Sequence, residues 1–399
     1  MYNVRKVYND LYWIGASDHR LALFENIHPI PRGVSYNSYV LMDEKNVLLD
    51  TVDWSVCPQF LENLSHLLEG KTLDYIIVHH VEPDHMASLG EVMLRYPEAQ
   101  IVASAKAISM MQQFGFDVSA KAQAVKEGDV LSTGKHSLTF VMAPMVHWPE
   151  VMVSYDTLDK TLFSADAFGT FGALDGKLFN DEVNFDRDWI DDARRYYTNI
   201  VGKYGAQTMN LLKKASGLEI ARICPLHGPI WRNDLEYFID KHKHWASYTP
   251  EVQGVMIVYA SIYGHTESAA QALASKLVQN GVKDVSVYDV SNIDVSYLVS
   301  EAFKYSHIVL ASSTYNADIF PKMKDFLEHL KMLNLQNRTV GIMENGSWAS
   351  TAGNAMKKIL ESMKDMTILD TEVKIMSSLN DEEKLDNFAD AITQSLKAQ

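Results

Sequence analysis

Two rhythms of apolar and polar positions run along the chain. Its first half carries short apolar runs with helical patterns between them. Residues 35–53, SYNSYVLMDEKNVLLDTVD, set an apolar run on either side of a polar turn at 43–46, which predicts a hairpin. An amphipathic helix follows near 58–68, and residues 73–80, LDYIIVHH, predict a buried strand rich in β-branched side chains. AQIVASAKA, SLTFVMAP and KTLFSADAF predict further strands. Across residues 241–254 the periodicity lapses, so one domain is expected at 1–249 and another at 250–399. From Val255 the runs VMIVYAS, VSVYDV, HIVLASS, TVGIMEN and TILDTEVKI alternate with helical patterns at 266–279, 295–305, 322–332, 351–363 and 381–397. Five strands alternating with helices predict a doubly wound parallel sheet.

At 399 residues, with 47% apolar and 10% aromatic content, the chain can fill two cores. A formal charge of −15 argues against nucleic acid and against an anionic membrane as partners. Cys57 and Cys224 are the only cysteines and form no CxxC, so the chain alone builds no zinc ribbon or cysteine-ligated iron site. The N-terminal MYNVRKVYNDLYWIG lacks an apolar leader core, and no run of about 18 apolar residues occurs. A cytoplasmic protein is the expectation.

The chemistry is concentrated at strand ends. VHHVEPDHMAS, residues 78–88, closes a predicted strand with His80, Glu82, Asp84 and His85 in the pattern H-x-E-x-D-H. Imidazole and carboxylate together suit divalent first-row metals. A solvated loop with chance histidines is the plain alternative for this segment taken alone. His147 follows LTFVMAPMV, Asp166 follows KTLFSA and His227 sits in ICPLHGP, so three more metal-type residues stand after apolar strands. Glu82, Asp84 and Asp166 would bring three carboxylates together. At about 4 Å each like-charged pair costs about 1 kcal/mol in water and about 4 kcal/mol at an effective dielectric near 20. Such a site calls for cations.

In order and spacing this set resembles the metallo-β-lactamase fold, with Glu82 standing where that fold has its second histidine. The same departure marks the flavodiiron proteins. Their H-x-E-x-D-H, H, D, H spacing is matched here by 61 residues between His85 and His147, 18 between His147 and Asp166, and 60 between Asp166 and His227. The resemblance implies an αββα sandwich holding two irons. His80, Glu82 and His147 would hold one, Asp84, His85 and His227 the other, and Asp166 would bridge them. A carboxylate in place of imidazole hardens the site toward iron rather than zinc.

The second domain carries a matching signal. YASIYGHTES, residues 259–268, follows its first strand and opens a helix; Ser261, Ile262, Tyr263, Gly264, His265 and Thr266 resemble the phosphate loop of flavodoxins. Taken alone, the loop also reads as an ordinary capped strand–helix turn. SSTYNADIFP at 312–321 and ENGSWASTAGNAMKK at 344–358 stand at carboxyl ends of strands, beside the switch point where FMN binds in that fold. The resemblance puts Ser313, Thr314, Tyr315 and Asn316 on one side of the isoalloxazine and Asn345, Gly346, Ser347 and Trp348 on the other, in a sheet of order 2-1-3-4-5. No G-x-G-x-x-G occurs, so a dinucleotide site has no support.

Flavodiiron proteins reduce dioxygen to water, nitric oxide to nitrous oxide, or both, with electrons entering at FMN and passing to the di-iron centre. The resemblance therefore implies an oxidoreductase with FMN and two irons. It also implies a head-to-tail homodimer or dimer of dimers, each flavin facing the partner's irons, and an external donor such as rubredoxin or a similar carrier. Tyr196 and Tyr197 in ARRYYTN are candidates to give the substrate a proton or hydrogen bond, and Phe24, His28 and Trp148 are candidate pocket residues. Two other functions fit parts of the chain. One is a zinc-dependent hydrolase of the metallo-β-lactamase fold fused to a flavodoxin domain; the other is a non-catalytic flavodoxin-type electron carrier.

Overall fold

The computed structural model describes residues 1–398. The chain divides into two compact units, Met1–Tyr197 with Ala206–Lys243, and Thr198–Gly205 with the residues from His244 onward.

The first unit holds two main sheets. One has seven strands in the spatial order Arg5–Tyr8, Leu11–Trp13, Tyr39–Leu41, Val47–Leu49, Tyr75–Val78, Gln100–Ser104 and Ala122–Val125. The expected hairpin is there, with Tyr39 opposite Leu49 and Leu41 opposite Val47. Val47, Leu48, Leu49, Ile76, Ile77 and Val78 are all buried, as strands covered on both faces require. The last four strands of this sheet run parallel, so Asp50 and His79–His80 emerge at one rim. The second sheet orders Val130–Ser132, Ser137–Met142, Met152–Asp156, Thr161–Phe163 and Arg222–Cys224. Its second, fourth and fifth strands share one direction, because Met152–Asp156 is antiparallel to both neighbours and the last pair is parallel. Their carboxyl ends therefore lie along one edge, and His147, Asp166 and His227 follow those ends.

The second unit is a parallel sheet ordered Val285–Asp289, Val252–Ala260, Tyr305–Tyr315, Arg338–Asn345 and Met366–Ile375, which is 2-1-3-4-5. The short Asp318–Ile319 pairs antiparallel with the third strand. Side-chain alternation along Val252–Ala260 feeds two cores. Met256 and Val258 pack with Phe326 and Leu327 on one face; Ile257 packs with Leu273 and Phe388 on the other. This is the doubly wound pattern.

Two expected elements shift. The AKA of AQIVASAKA is helical, not strand: Ser104 caps the helix Ala105–Gln113 by accepting the Ala107 N–H at 3.1 Å. The lapse in periodicity expected across 241–254 is shorter, because the helix Leu235–Ala246 runs into it and buries Phe238, His242 and Trp245 along one stripe. No helix of the described residues is long and apolar enough to cross a membrane.

Candidate metal centre and flavin cleft

The strand Tyr75–Val78 delivers two consecutive histidines to opposite uses. His79 donates from Nδ1 to Asp50 Oδ2 at 2.5 Å, and its Nε2 accepts the Ser154 hydroxyl at 2.8 Å. This has the hydrogen-bond order of a catalytic triad, yet all three residues are buried, so it serves as a strut rather than a nucleophile. His80 turns the other way, donates from Nδ1 to Glu150 at 2.6 Å, and aims Nε2 at the ligand cluster.

Seven side chains converge there in two groups. In the first, His80 Nε2 lies 3.2 Å from Glu82 Oε2 and 3.3 Å from His147 Nε2. His147 Nε2 lies 3.0 Å from both Glu82 Oε2 and Asp166 Oδ2. In the second, His85 Nε2 stands 3.4 Å from Asp84 Oδ2 and 3.1 Å from Asp166 Oδ1, and His227 Nε2 stands 3.3 Å from Asp84 Oδ2. Asp166 thus gives one oxygen to each group. Metal–ligand bonds of about 2.1 Å hold neighbouring donors about 3.0–3.4 Å apart, which is the spacing found in both groups.

The donor atoms themselves argue for cations. Both oxygens of Asp84, both ring nitrogens of His85, Asp166 Oδ1 and His227 Nε2 are buried without a hydrogen-bond partner, a costly state unless something else binds them. His80 and His227 have their Nδ1 protons committed, to Glu150 and to the Ser35 carbonyl at 2.8 Å, so Nε2 is the free position. Charge points the same way. Burial opposes the charged forms throughout, but Asp166 and Glu82 raise His147 to about 9, and Asp84 and Asp166 raise His85 to about 9. The histidines in turn pull Asp166 well below the usual carboxylate range against its burial. Three carboxylates and four imidazoles thus gather in buried space, and divalent ions can take the place of the protons that His85 and His147 hold there.

The two candidate tyrosines part company. Tyr196 is buried with its ring centroid 5.4 Å from that of His227, and its hydroxyl has no hydrogen-bond partner. Burial, then Asp166, Asp84 and Glu82, push its pKa well up, so it keeps its proton. Gly169 makes the room, since a Cβ there would meet Tyr196 Cε1 at 2.8 Å. Tyr197, one residue and about 100° further round the helix, packs on His242 at 5.5 Å. Phe24 lies 5.4 Å from His227, and Trp148 covers His80 at 5.2 Å. His28 packs obliquely on Phe171, 6.3 Å between ring centroids. Sequence reasoning missed Glu150, Asp50 and Glu25. Burial, followed by Glu82, raises Glu25 to about 7.

In the second unit a cleft of about 730 Å³ opens at the carboxyl edge of the sheet, a size usual for small-ligand sites. Ser261, Ile262, Tyr263, His265, Thr266, Ser313, Thr314, Tyr315, Asn316, Asn345, Gly346, Ser347 and Trp348 line it, joined by Ala317, Ala349 and Ser377, which the sequence did not single out. Ser377 comes just after the strand Met366–Ile375, so the same strand-end rule would have found it. Gly264, at φ +92 before the helix His265–Gln279, donates its N–H to Ser261 Oγ at 3.0 Å and so makes the tight turn. Thr266 Oγ1 meets Ser313 Oγ at 2.9 Å and accepts from Asn345 Nδ2 at 3.2 Å. Thr314 Oγ1 accepts the Thr351 and Ala352 N–H groups and so caps the helix Ala352–Glu361. Tyr263 and Trp348 are each 91% exposed at the rim, flat apolar faces fit to cover an aromatic ring.

One unit with two metal-ligand groups sharing a carboxylate, and another with a flavodoxin-order sheet and an aromatic-rimmed cleft, define a two-module redox class of protein. Residues 34–228 match the family model for the ODP family beta lactamase, and residues 257–382 match that for flavodoxin. The chain belongs to the flavodiiron protein family. It is 32% identical over 365 residues to the anaerobic nitric oxide reductase flavorubredoxin of Aeromonas hydrophila, covering 90% of this chain and 72% of that one. The flavorubredoxin of Escherichia coli is 30% identical, covering 90% and 75%. Among solved structures, rubredoxin oxygen:oxidoreductase from Desulfovibrio gigas superposes with a TM-score of 0.91 at 29% identity, covering 99% of each chain. A variant of the flavo di-iron protein of Thermotoga maritima also gives 0.91, at 25% identity and 99% of each chain.

Proposed function

We propose that the chain is an oxidoreductase that reduces dioxygen to water, nitric oxide to nitrous oxide, or both, using FMN and a pair of irons. The observation that carries this reading is Asp166, whose two oxygens face two separate His/carboxylate groups. In this reading His80, Glu82 and His147 hold one iron, Asp84, His85 and His227 hold the other, and Asp166 bridges. Iron and FMN, when bound, supply one-electron chemistry and open coordination positions for a diatomic gas. The chain's own residues do the rest. Glu150 and the Ser35 carbonyl hold His80 and His227 in the tautomer that ligates. Phe24, Phe171 and Trp148 wall the space with apolar surface. Tyr196 keeps a proton at Oη and has no partner of its own to give it to, so it can donate to a small substrate.

The flavin module, which we assign to residues 250–399 beside a metal module at 1–249, would seat FMN in its cleft. Ser261 to Thr266 would hold the phosphate; Thr314 to Asn316 and Asn345 to Trp348 would flank the ring. The two cysteines are both buried and build no cysteine-ligated carrier within these residues, so we assign rubredoxin or a similar carrier as the electron donor, in keeping with the relative named for it. We further assign a cytoplasmic location and a head-to-tail homodimer or dimer of dimers.

The test is anaerobic: protein loaded with iron and flavin is reduced, then given O₂ and NO side by side at a gas electrode. Consumption of either gas supports the reading. A fully loaded, reduced protein that consumes neither would overturn it.

A further inference from the structure

Another imidazole–carboxylate group lies in the first unit apart from the seven ligands above. His136 is fully buried and donates from Nδ1 to Asp156 Oδ2 at 2.8 Å. This is the arrangement by which Glu150 orients His80, and it leaves Nε2 as the ring's second position. Nε2 is buried without a hydrogen-bond partner, and Asp10 Oδ2 stands 3.6 Å from it, beyond hydrogen-bond range. Asp159 brings a second such atom, since its Oδ2 is also buried without a partner while its Oδ1 accepts from Asn9 Nδ2 at 2.8 Å. His136, Asp156 and Asp159 present ligand-type atoms within 4.8 Å of one another. His136 and Asp159 therefore each bring to this group one buried atom without a hydrogen-bond partner, a ring nitrogen and a carboxylate oxygen.

We infer that His136, Asp159 and Asp10 form a third cation site, separate from the pair that shares Asp166, which takes a divalent first-row ion such as zinc. One imidazole nitrogen and two carboxylate oxygens leave a fourth tetrahedral position for water, the donor set zinc accepts readily. Asp10 provides the way in, because its side chain is 37% exposed and its other neighbour, Lys135 Nζ at 3.4 Å, is a surface ammonium that is itself 65% exposed. Asp156 already receives the Leu158 and Asp159 N–H groups in addition to His136, so it acts as the orienting carboxylate rather than a ligand. A proton on Nε2 is the competitor, favoured by the same carboxylates, and the metal displaces it. Asp10 lies in the turn between Arg5–Tyr8 and Leu11–Trp13 of the seven-stranded sheet, and His136 and Asp159 lie in turns of the five-stranded sheet. The ion therefore clamps the two sheets together, and by binding only the folded state it stabilises that state.

The experiment uses the full chain loaded with flavin and iron, washed briefly with a mild chelator, and titrated with Zn²⁺ or with Co²⁺ as a coloured probe. One equivalent beyond the iron should bind, with the visible bands of four-coordinate cobalt, and Zn²⁺ should raise the melting temperature. H136Q and D159N should lose the extra equivalent and the thermal gain while keeping iron and flavin. D10N, at a partly exposed position that carries little risk to folding, should weaken the extra binding about tenfold or more. No extra equivalent in the parent chain, or an extra equivalent of unchanged affinity in H136Q or in D10N, overturns the site.

Discussion

Glu150 and His80 are joined by a 2.6 Å hydrogen bond in which the carboxylate accepts the Nδ1–H of the imidazole and neither side chain touches solvent. The bond decides which nitrogen of His80 faces Glu82 and His147. Glu150→Gln keeps the shape and removes the charge, so metal affinity should fall about 10- to 100-fold. Chelator competition against the purified protein checks this, and equal affinity in both proteins would remove Glu150 from the account.

Asp166 offers an oxygen to each ligand group. Asp166→Ala should take iron from about two per chain toward none, while flavin stays near one per chain. Metal and flavin analysis on the same sample reads both, and full iron retention would contradict the bridging role.

Tyr196 carries a buried hydroxyl with no partner. Tyr196→Phe deletes that oxygen and little else, so stability should hold or rise slightly, since an unsatisfied buried polar group is costly. Turnover should drop at least about tenfold if that proton or hydrogen bond is used. A merely packed tyrosine would leave turnover unchanged.

Thr266 Oγ1 sits between Ser313 and Asn345 at the floor of the flavin cleft. Thr266→Val should weaken FMN about tenfold, the worth of one or two hydrogen bonds, and leave iron content alone. Fluorescence titration of the flavin-free protein measures it; an unchanged dissociation constant would count against the phosphate-loop assignment.

His242 is buried between Phe168 and Phe238, each ring 4.5 Å away, and burial pushes its pKa down to about 4 from 6.5. The neutral form is the folded one. Its contribution is therefore complete above pH 6.5 and is lost as the pH falls toward 4, by up to about 3 kcal/mol. Parent protein should lose more stability than His242→Leu between pH 7 and pH 4. Denaturant unfolding of the two at each pH isolates the difference from any acid loss of metal, which both proteins share; parallel pH profiles would refute it.

The convergence of the seven candidate ligands was legible because four of them sit in one turn and the others each close an apolar strand. The direction of those strands, which brings His147, Asp166 and His227 to one edge, was not readable. It depends on Met152–Asp156, a strand absent from the expected set, reversing between two neighbours. The loops that line the second unit's cleft were legible for the same reason of position, since five strands alternating with helices leave little freedom in order. Glu150 was invisible because a single carboxylate 70 residues from its partner has no local signature. Which of Tyr196 and Tyr197 faces the candidate ligands was likewise hidden, because neighbouring helical residues point about 100° apart and the choice depends on how the helix is seated against His227 and His242.

Asp50, His79 and Ser154 carry one last consequence. Their interlocked bonds cross from the first sheet to the second immediately beneath His80, with no need of any ion. The receptacle is therefore moulded ahead of its contents, unlike small zinc-dependent folds that stay unfolded until loaded. A chain emptied of iron should keep its form and take the metal back as an act of binding, not of assembly.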